Sequence, residues 1–387
     1  MRIVHVTDCY LPRMGGIETQ VADLVRHQTA AGHDVHVVTS TTEAADQNGQ
    51  VHRIRAGWIR ETMLRSQRTV QTVGRLRPDV VHCHNSVLSP LAVAVAGGAS
   101  ELGIPTAVTV HSLLPAVGPV LPLSGHVLSV RNLRLAWSAV SEVAARPVRR
   151  VLGGATQVDV LPNAVDVGWW RAAASTRRSP ITNEVRIVSV GRMAVRKRPL
   201  PLLRILAEVR DLVRADVPVR LVLVGDGPQR RQVAQRIRDL GMSDWVDLPG
   251  QLPRCEIRDV LAAADLYVAP ATLESFGIAA LEARAVGLPV VAKDRGGVGE
   301  FVTNGTDGIL ATTDGDMARA LARLVESTPL REGIRAHNCA VAPAFGWADA
   351  LVRTDQLYDR AADLVGHTEG FVRPVPVLTA ADLQVAQ

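Results

Sequence analysis

Short aliphatic runs alternate with helix-length segments along almost the whole chain. Strands are predicted over residues 2–7, 34–40, 79–84, 105–110, 135–140, 157–162, 185–190, 219–224, 245–248, 266–270 and 289–293. Strand–helix–strand alternation indicates a parallel sheet covered by helices. Only 3% of the residues are aromatic, and an aliphatic core of this kind suits the buried strands of such a sheet. The fold class is therefore expected to be α/β.

The alternation is interrupted once, at residues 171–184, which are polar, small and without an apolar period. This stretch predicts a linker between two Rossmann-like, doubly wound domains, residues 1–170 and 185–346, that face each other across a cleft. Residues 347–364 are predicted to form a C-terminal helix that crosses back to the N-terminal domain, and residues 365–387 to form a tail. Because ligands of open α/β sheets bind beyond the carboxyl ends of the strands, the chemistry is expected in loops that follow strands.

Charge and cysteine usage exclude several classes of protein. The formal net charge of +5 is spread over 387 residues, so it does not by itself indicate nucleic acid, and it suits small anions or an anionic membrane surface. Cys9, Cys83, Cys255 and Cys339 show no C-x-x-C spacing, which excludes a disulfide framework and the usual zinc knuckles. No signal peptide and no spanning segment are recognised, so a cytoplasmic protein is expected, at most peripheral on the inner membrane face.

The first candidate site is the turn after the first strand, where Gly15 and Gly16 precede a helix. Two glycines let the backbone approach a ligand closely, and a helix N-terminus favours an anion. A tight strand-to-helix turn without a ligand would explain the same pair. No G-x-G-x-x-G is present and the second strand ends in Thr39-Ser40, without an acid for a ribose, which argues against a nicotinamide dehydrogenase.

Two further candidates follow strands of the second half. Arg192 and Lys197 lie in one loop and can reach one diphosphate, although a solvated basic loop is the alternative. Glu274 and Glu282 flank Ser275-Phe276-Gly277, which opens a helix, and eight residues place them ~12 Å apart along its axis. That distance resembles the span from a transferred sugar past a diphosphate to a ribose. The Gly277 and Ile278 amides would cradle the diphosphate; the alternative is an ordinary capped amphipathic helix.

Several histidines and one acidic motif are candidates for metal or catalytic groups. His111 ends a strand and is expected to face the cleft, whereas His82 and His84, like His5, are interpreted as structural because no acid or cysteine completes a metal site. Asp314-Gly315-Asp316 resembles the D-x-D motif of metal-dependent sugar transferases. It precedes a helical run, so it is interpreted as a helix N-cap, and no metal is predicted.

Several segments together resemble the family 4 retaining glycosyltransferases of GT-B fold, over residues 1 to 363. The matching segments are GGIET (15–19), VTVHSL (108–113), AVSE (139–142), VLPNAVD (160–166), VGRMAVRK (190–197), LVLVGDGP (221–228), 263–292 with its E-x7-E element, and GGVGEFVTNGTDGIL (296–310). Three positions depart from the family pattern, all in loops: Arg198 and Ala164 stand where glycine is usual, and Gly299 where proline is usual.

The resemblance implies an N-terminal acceptor domain, a C-terminal donor domain and a role for each matching residue. Arg192 and Lys197 would hold the donor diphosphate, Glu274 the hexose hydroxyls and Glu282 the ribose. Phe276, Gly277 and Ile278 would form the donor loop, and Gly15 and Gly16 would lie against the diphosphate. His111 would lie near the transferred sugar, and no metal or other cofactor would be needed.

The expected function is metal-independent retaining transfer of a hexosyl unit from a UDP-sugar or GDP-sugar to an unidentified hydroxyl acceptor. A GT-B sugar-nucleotide epimerase and a non-catalytic sugar-nucleotide-binding protein are the alternatives. The acceptor is expected to be lipid-linked, a glycan or a small metabolite, and no nucleic-acid partner is expected. Residues 53–68 carry five arginines and Trp58; an ordinary helix packed on the sheet is the preferred interpretation, and weak association with an anionic membrane is the alternative.

Overall fold

The structure, a computed structural model, describes residues 1–42, 49–54, 68–87, 89–113, 133–154, 156–176 and 184–366. The chain forms two compact units. The first comprises Met1–Asn163 with Trp347–Gln387, and the second comprises Ala164–Gly346. All four cysteines are free thiols. Within the described residues, no helix combines the length and the apolarity needed to cross a membrane.

The first unit is built on a parallel sheet of seven strands in the order β3-β2-β1-β4-β5-β6-β7. The strands are β1 Arg2–Thr7, β2 Asp34–Thr39, β3 Val51–Arg53, β4 Val80–Asn85, β5 Thr106–Val110, β6 Ala136–Ala139 and β7 Val158–Val160. Its helices are Gly16–Ala30, Pro90–Glu101, Glu142–Leu152 and Trp347–Val365, and residues 68–75 are also helical. The helix Trp347–Val365 is called the C-terminal helix below.

One face of this sheet is apolar where the strands begin. Ile3, Val80 and Ala107, from three neighbouring strands, pack with Leu357 and Ala361 of the C-terminal helix in one core cluster. Side chains on a strand point alternately to the two faces, so residues two and four positions further along the same strands share this face. Those positions are polar, and they form the histidine cluster described below.

The second unit is also a parallel sheet, of six strands in the order β10-β9-β8-β11-β12-β13. The strands are β8 Val185–Val190, β9 Val219–Val224, β10 Val246–Gly250, β11 Leu266–Ala269, β12 Val290–Lys293 and β13 Gly308–Ala311. Its helices are Val167–Ala172, Pro199–Leu212, Arg230–Asp239, Arg254–Ala262, Ile278–Ala285, Asp314–Glu326 and Thr328–Ala340. A continuous core of aliphatic side chains, including Leu202, Leu206, Leu221 and Leu321, fills this unit.

The predicted α/β class and the doubly wound arrangement are confirmed in both units, since each sheet is parallel and its strand order reverses beside the first strand of the unit. Together they form a two-domain Rossmann-like GT-B fold. All eleven predicted strands are present, and the prediction missed β3 and β13.

The division between the units differs from the predicted linker at residues 171–184. Residues 164–170, predicted as part of the N-terminal domain, belong to the second unit. The Val165 N–H donates to the Phe345 carbonyl at 3.0 Å, and the Trp170 side chain is buried. Residues 171–176, predicted as linker, complete the helix Val167–Ala172 and then form a 3-10 turn. Because the helix Val167–Ala172 packs within the second unit, the boundary between the two units lies after Asn163.

Candidate functional site

The loop after β8 carries two of the predicted site residues and is held by close backbone approach. Gly225, at the end of β9, has φ +135°, and a Cβ added there would lie 2.0 Å from the Gly191 carbonyl oxygen. The Met193 N–H donates to the Asp226 carbonyl at 2.8 Å. The glycine-containing turn after β9 thus fixes the backbone on which Arg192 and Lys197 stand.

Lys197 and Glu274, predicted from separate motifs 77 residues apart, are in direct contact: Lys197 Nζ donates to Glu274 Oε2 at 2.5 Å. The Lys197 side chain is half-exposed, whereas the Glu274 side chain is 14% exposed. Arg192 is exposed, and within the described residues no carboxylate pairs with it. The loop after β8 therefore presents one cation paired with Glu274 and a second cation facing solvent.

The helix Ile278–Ala285, called the site helix, begins directly after this acidic loop. Gly277 caps it with φ +99°, and a Cβ there would lie 2.6 Å from Cγ2 of Val298. The Gly297 N–H donates to the Glu274 carbonyl at 2.8 Å, which braces the loop from the turn after β12. The Ala280 N–H already donates to the Gly277 carbonyl at 2.9 Å. The N–H groups of Ile278 and Ala279 precede it in the first turn, where a helix has no carbonyl of its own to accept them, so they can bind an anion.

Phe276, predicted to be part of the donor loop, has its side chain in the interior. It is fully buried, with ring centroids 5.3 Å from Phe301 and 5.6 Å from Phe345. An aromatic side chain in an otherwise aromatic-poor chain is used here to fill the space beneath the loop. Phe276 thus supports the loop before the site helix, and only its backbone is left to contact a ligand.

Glu282 lies on the buried side of the site helix, close to an arginine that the sequence did not single out. The Glu282 side chain is 10% exposed, and its Oε1 lies 3.8 Å from a guanidinium nitrogen of Arg254. That guanidinium also lies 5.6 Å and 5.5 Å from the ring centroids of Trp169 and Trp170. Arg254 belongs to another helix, and no sequence signal links it to Glu282.

Tyr267 on β11 contacts the end of β8 and is close enough to Glu274 and Glu282 to be affected by their charges. Its hydroxyl donates to the Val190 carbonyl at 3.2 Å. Burial raises the pKa of Tyr267 well above its usual value, and the charges of Glu274 and Glu282 raise it further. The phenol therefore stays protonated and acts as a neutral hydrogen-bond donor beneath the site.

The Asp314-Gly315-Asp316 motif is occupied in helix capping and ion pairs. Thr313, rather than Asp314, is the N-cap, and Asp316 completes a capping box with it. Arg198 binds Asp314 through two hydrogen bonds of 2.9 and 2.8 Å, and Lys293 Nζ lies 2.8 Å from the same carboxylate. The Arg198 hydrogen bonds and the Lys293 charge hold the pKa of Asp314 far below its usual range. Arg198 therefore anchors the loop rather than facing a ligand.

The helix N-terminus at Gly15 and Gly16 in the first unit already has a carboxylate beside it. A Cβ added at Gly15 would lie 2.3 Å from Oε2 of Glu18, whose side chain is buried. Glu18 also pairs with Arg13 at 3.2 Å. An anion bound at these two glycines would meet Glu18, so this carboxylate has to move away from Gly15 when such a ligand arrives.

His111 follows β5 directly and is buried, and it belongs to a cluster with His5, His82 and His84. Its Nε2 lies 2.9 Å from His84 Nδ1, and His84 Nε2 lies 2.9 Å from His5 Nδ1. Burial lowers the pKa of His5 and of His111 to about 4, and lowers those of His82 and His84 well below the usual value. The cluster is therefore neutral at physiological pH.

The same cluster has the composition of a metal site. His5, His82 and His84 each place a ring nitrogen within 4.8 Å of the others. Both ring nitrogens of all three are engaged, with one another, with His111 or with Gln28, Tyr358 and Thr109. A metal ion could bind there only by replacing these hydrogen bonds, and the cluster offers it no carboxylate.

Comparisons with known proteins agree with this architecture. The model of "Glycosyl transferases group 1" matches residues 174–338, and that of "Glycosyltransferase Family 4" matches residues 14–169. A phosphatidylinositol N-acetylglucosaminyltransferase subunit of Arabidopsis thaliana is 27% identical over 93% of this chain and 82% of its own length. A glycogen synthase of Mycobacterium tuberculosis is 27% identical over 92% of this chain and 94% of its own.

Among solved structures, HepE of Anabaena in complex with UDP superposes with a TM-score of 0.75, at 20% identity, over 93% of this chain and all of its own. At that identity the likeness establishes the fold alone. The two family models cover the two units in turn, and the curated relatives are named glycosyltransferases or a synthase of the same class. The chain is therefore a glycosyltransferase enzyme of family 4, with the GT-B fold.

Proposed function

We propose that this glycosyltransferase moves a hexosyl unit from a UDP-sugar or GDP-sugar to a hydroxyl acceptor, with retention of anomeric configuration and without a metal ion. The observation that carries the proposal is the contact of Lys197 with Glu274 beside the N-terminus of the site helix. A cation for the diphosphate and a carboxylate for sugar hydroxyls are thereby held together, next to backbone N–H groups that favour anions.

The donor site follows from the roles of these groups. Arg192, Lys197 and the amides at Gly277 and Ile278 hold the diphosphate, Glu274 holds the hexose and Glu282 holds the ribose. As the glycosidic bond breaks, negative charge accumulates on the leaving diphosphate, and fixed cations and N–H dipoles stabilise it. When the donor binds, its phosphate oxygens and hexose hydroxyls take the places that Lys197 and Glu274 now fill for each other.

The first unit contributes His111 toward the transferred sugar and the backbone of Gly15 and Gly16 toward the diphosphate. The His111 imidazole is neutral near pH 7 because burial lowers its pKa to about 4, so it acts as a hydrogen-bonding group and not as a cation. Metal-independent transfer is supported by the engagement of Asp314 and Asp316 in ion pairs and capping, which leaves the charge of the diphosphate to protein cations.

Incubation of the purified chain with a panel of UDP- and GDP-hexoses and of candidate hydroxyl acceptors tests the proposal. We expect the acceptor mass to increase by one hexosyl unit with one donor, the donor anomeric configuration to be kept in the NMR spectrum of the product, and EDTA to leave the rate unchanged. An inverted anomer would contradict the mechanism, and loss of activity restored by a divalent cation would contradict metal independence. Epimerisation of the donor without an acceptor would favour the epimerase.

The acceptor is a lipid-linked compound, a glycan or a small metabolite, and the basic segment 53–68 is compatible with an anionic membrane surface. Residues 55–67 of that segment lie outside the described residues. Flotation with anionic vesicles separates these cases. Binding that weakens with salt and in the double variant Arg60→Glu/Arg65→Glu supports the membrane association, and absence of binding at low ionic strength points to a soluble acceptor.

A further inference from the structure

A continuous chain of hydrogen bonds runs through the polar part of the first sheet and ends at His111. Starting from the Val108 carbonyl, its members are Ser138, Thr109, His82, Tyr358, Gln28, His5, His84 and His111. Successive donor–acceptor distances lie between 2.6 and 3.3 Å. These side chains are buried, so water does not compete for their hydrogen bonds. This set is called the buried polar chain below.

The direction of every hydrogen bond in the buried polar chain is fixed at its start. A backbone carbonyl only accepts, so the Ser138 hydroxyl donates to Val108 at 3.3 Å. The Ser138 oxygen then accepts from Thr109, at 2.7 Å, and the Thr109 oxygen accepts from His82 Nε2–H, at 2.6 Å. His82 therefore carries its proton on Nε2, and its Nδ1 is an acceptor.

Tyr358 and Gln28 carry this direction to the other histidines. The Tyr358 hydroxyl donates to His82 Nδ1 at 3.0 Å, and its oxygen accepts from the Gln28 amide nitrogen at 3.1 Å. The amide oxygen of Gln28 consequently faces His5 and accepts from His5 Nε2–H at 2.6 Å. A neutral imidazole with its proton on Nε2 accepts at Nδ1, so the same orientation passes from His5 to His84 and from His84 to His111.

We propose that Tyr358 and Gln28 are positioning residues that hold His111 in the tautomer with its proton on Nε2 and its Nδ1 free to accept a hydrogen bond. The inference rests on the proposed function, in which His111 serves the transferred sugar. In this tautomer His111 binds a sugar hydroxyl as an acceptor and does not donate to it from Nδ1. The C-terminal helix, through Tyr358, thereby sets the chemistry of a residue at the end of β5.

The tautomers are measured directly on full-length protein labelled with 15N-histidine, by long-range 1H–15N correlation of the ring nitrogens. His111 is assigned by comparison with the variant His111→Asn. We expect His111, His84 and His5 each to be the Nε2–H tautomer in the unsubstituted protein. A proton on Nδ1 of His111 overturns the proposal, and this readout requires no catalytic activity.

The variant Tyr358→Phe removes one hydroxyl of the buried polar chain and frees the Gln28 amide to rotate. We expect a mixture of both His111 tautomers, and a several-fold lower kcat with the donor KM little changed. The matched control is Thr354→Val, which removes a buried hydroxyl one turn earlier on the same helix, where it donates only to the Ala350 carbonyl at 2.7 Å. The control should leave the His111 signals unchanged.

The outcomes separate the two levels of inference. An unaltered His111 tautomer in folded Tyr358→Phe overturns the proposal. Addition of Zn²⁺ to the unsubstituted protein is a second test: if the ring-nitrogen signals of His5, His82 and His84 shift together, the cluster is a metal site and the proposal is also overturned. If the tautomers respond as expected but His111→Asn transfers sugar at the unsubstituted rate, the hydrogen-bond chain stands and the role of His111 in the proposed function falls.

Discussion

At the scale of single residues, Arg192 and Lys197 of the loop after β8 carry the proposed transfer. Lys197→Met and Arg192→Ala each remove a positive charge from the leaving diphosphate, and we expect turnover to fall about 100-fold or more, equivalent to ~3 kcal/mol of transition-state stabilisation. The matched control is Arg196→Ala, an exposed arginine of the same loop. Steady-state kinetics with circular dichroism as a check on folding measures the effect. If the control lost as much activity as Lys197→Met, general loop charge and not the position of Lys197 would be responsible.

The buried histidines make a prediction about stability against pH. His5 and His111 titrate with a pKa of about 4 in the folded chain and of about 6.5 when unfolded. Between these pH values the unfolded chain binds more protons than the folded chain, so the free energy of unfolding decreases as the pH falls. Each histidine contributes its full stabilisation above pH 6.5 and loses on the order of 3 kcal/mol of it as the pH falls to 4. Urea unfolding at pH 7.5, 6 and 5 should show a falling midpoint.

Asp8 makes the opposite contribution to the pH dependence of stability, so a variant at this position serves as a control. Burial raises the pKa of its carboxyl to about 6, although it accepts the N–H groups of Leu91 and Ala92. Its folded form therefore keeps a proton that the unfolded form loses above pH 4, and its contribution to stability falls as the pH rises through that window. In Asp8→Asn the loss of stability toward acid should be steeper. A midpoint that stays level in both proteins would mean that the histidines are not neutralised by burial.

At the scale of elements, the start of the site helix depends on Gly277. Ala at this position meets both a positive φ of +99° and the Val298 methyl group at 2.6 Å, whereas Gly305 has a positive φ of +83° and open space around its Cβ position. Backbone strain alone costs ~1 to 2 kcal/mol, and a forced contact adds ~1 to 3 kcal/mol. Gly277→Ala should therefore reduce the free energy of unfolding by about 2 kcal/mol more than Gly305→Ala. Equal losses of unfolding free energy in the two variants, measured by urea unfolding, would show that the Val298 side chain moves aside at no cost.

The elements also show what the sequence could and could not predict. Strands of four or more aliphatic residues, such as VRLVLV in β9, are recognisable because burial on both faces leaves a continuous apolar run. The missed strands β3 (VHR) and β13 (GILA) contain fewer than four aliphatic residues, and the single valine of β3 is followed by a polar and a charged residue. Lys197 and Glu274 are recognisable through their motifs, whereas the pairing of Arg198 and Lys293 with Asp314 is not, because it joins loops that are adjacent only once the strand order is known.

The histidine cluster shows the same limit more sharply. His5 lies opposite His82, and His84 opposite Thr109, in the registers of β1 with β4 and of β4 with β5. Strand β4 follows β3 in the chain but lies beside β1 in the sheet, so the spacing in the sequence carries no trace of these contacts. From the sequence, His5, His82 and His84 are each interpreted as structural, and the hydrogen-bonded path from Gln28 to His111 becomes visible only in three dimensions.

At the scale of the whole molecule, the residues proposed to bind the diphosphate and the ribose concentrate in the second unit, Ala164–Gly346, which has its own sheet and core. A ligand that binds only folded protein stabilises it by ~2.7 kcal/mol at 100 times its dissociation constant. UDP or GDP should therefore raise the midpoint of thermal unfolding and slow hydrogen exchange most in peptides covering 191–200 and 274–285. Peptides of β4 and β5 should exchange at their original rates, and protection that appeared only there would contradict the placement of the donor.

Binding of a nucleotide diphosphate should distinguish the roles proposed for Glu274 and Glu282. UDP and GDP carry a ribose but no hexose, so Glu282→Gln should weaken their binding and reduce the thermal shift, because the amide offers the ribose hydroxyls one neutral acceptor oxygen in place of the two oxygens of a charged carboxylate. Glu274→Gln should bind them at least as well as the unsubstituted chain, since Lys197 is released from its 2.5 Å contact and becomes available to the diphosphate. Calorimetric titration of both variants with UDP and GDP measures this order. Equal affinities would remove Glu282 from the ribose, and weaker binding by Glu274→Gln would show that this carboxylate supports the diphosphate site and not the hexose alone.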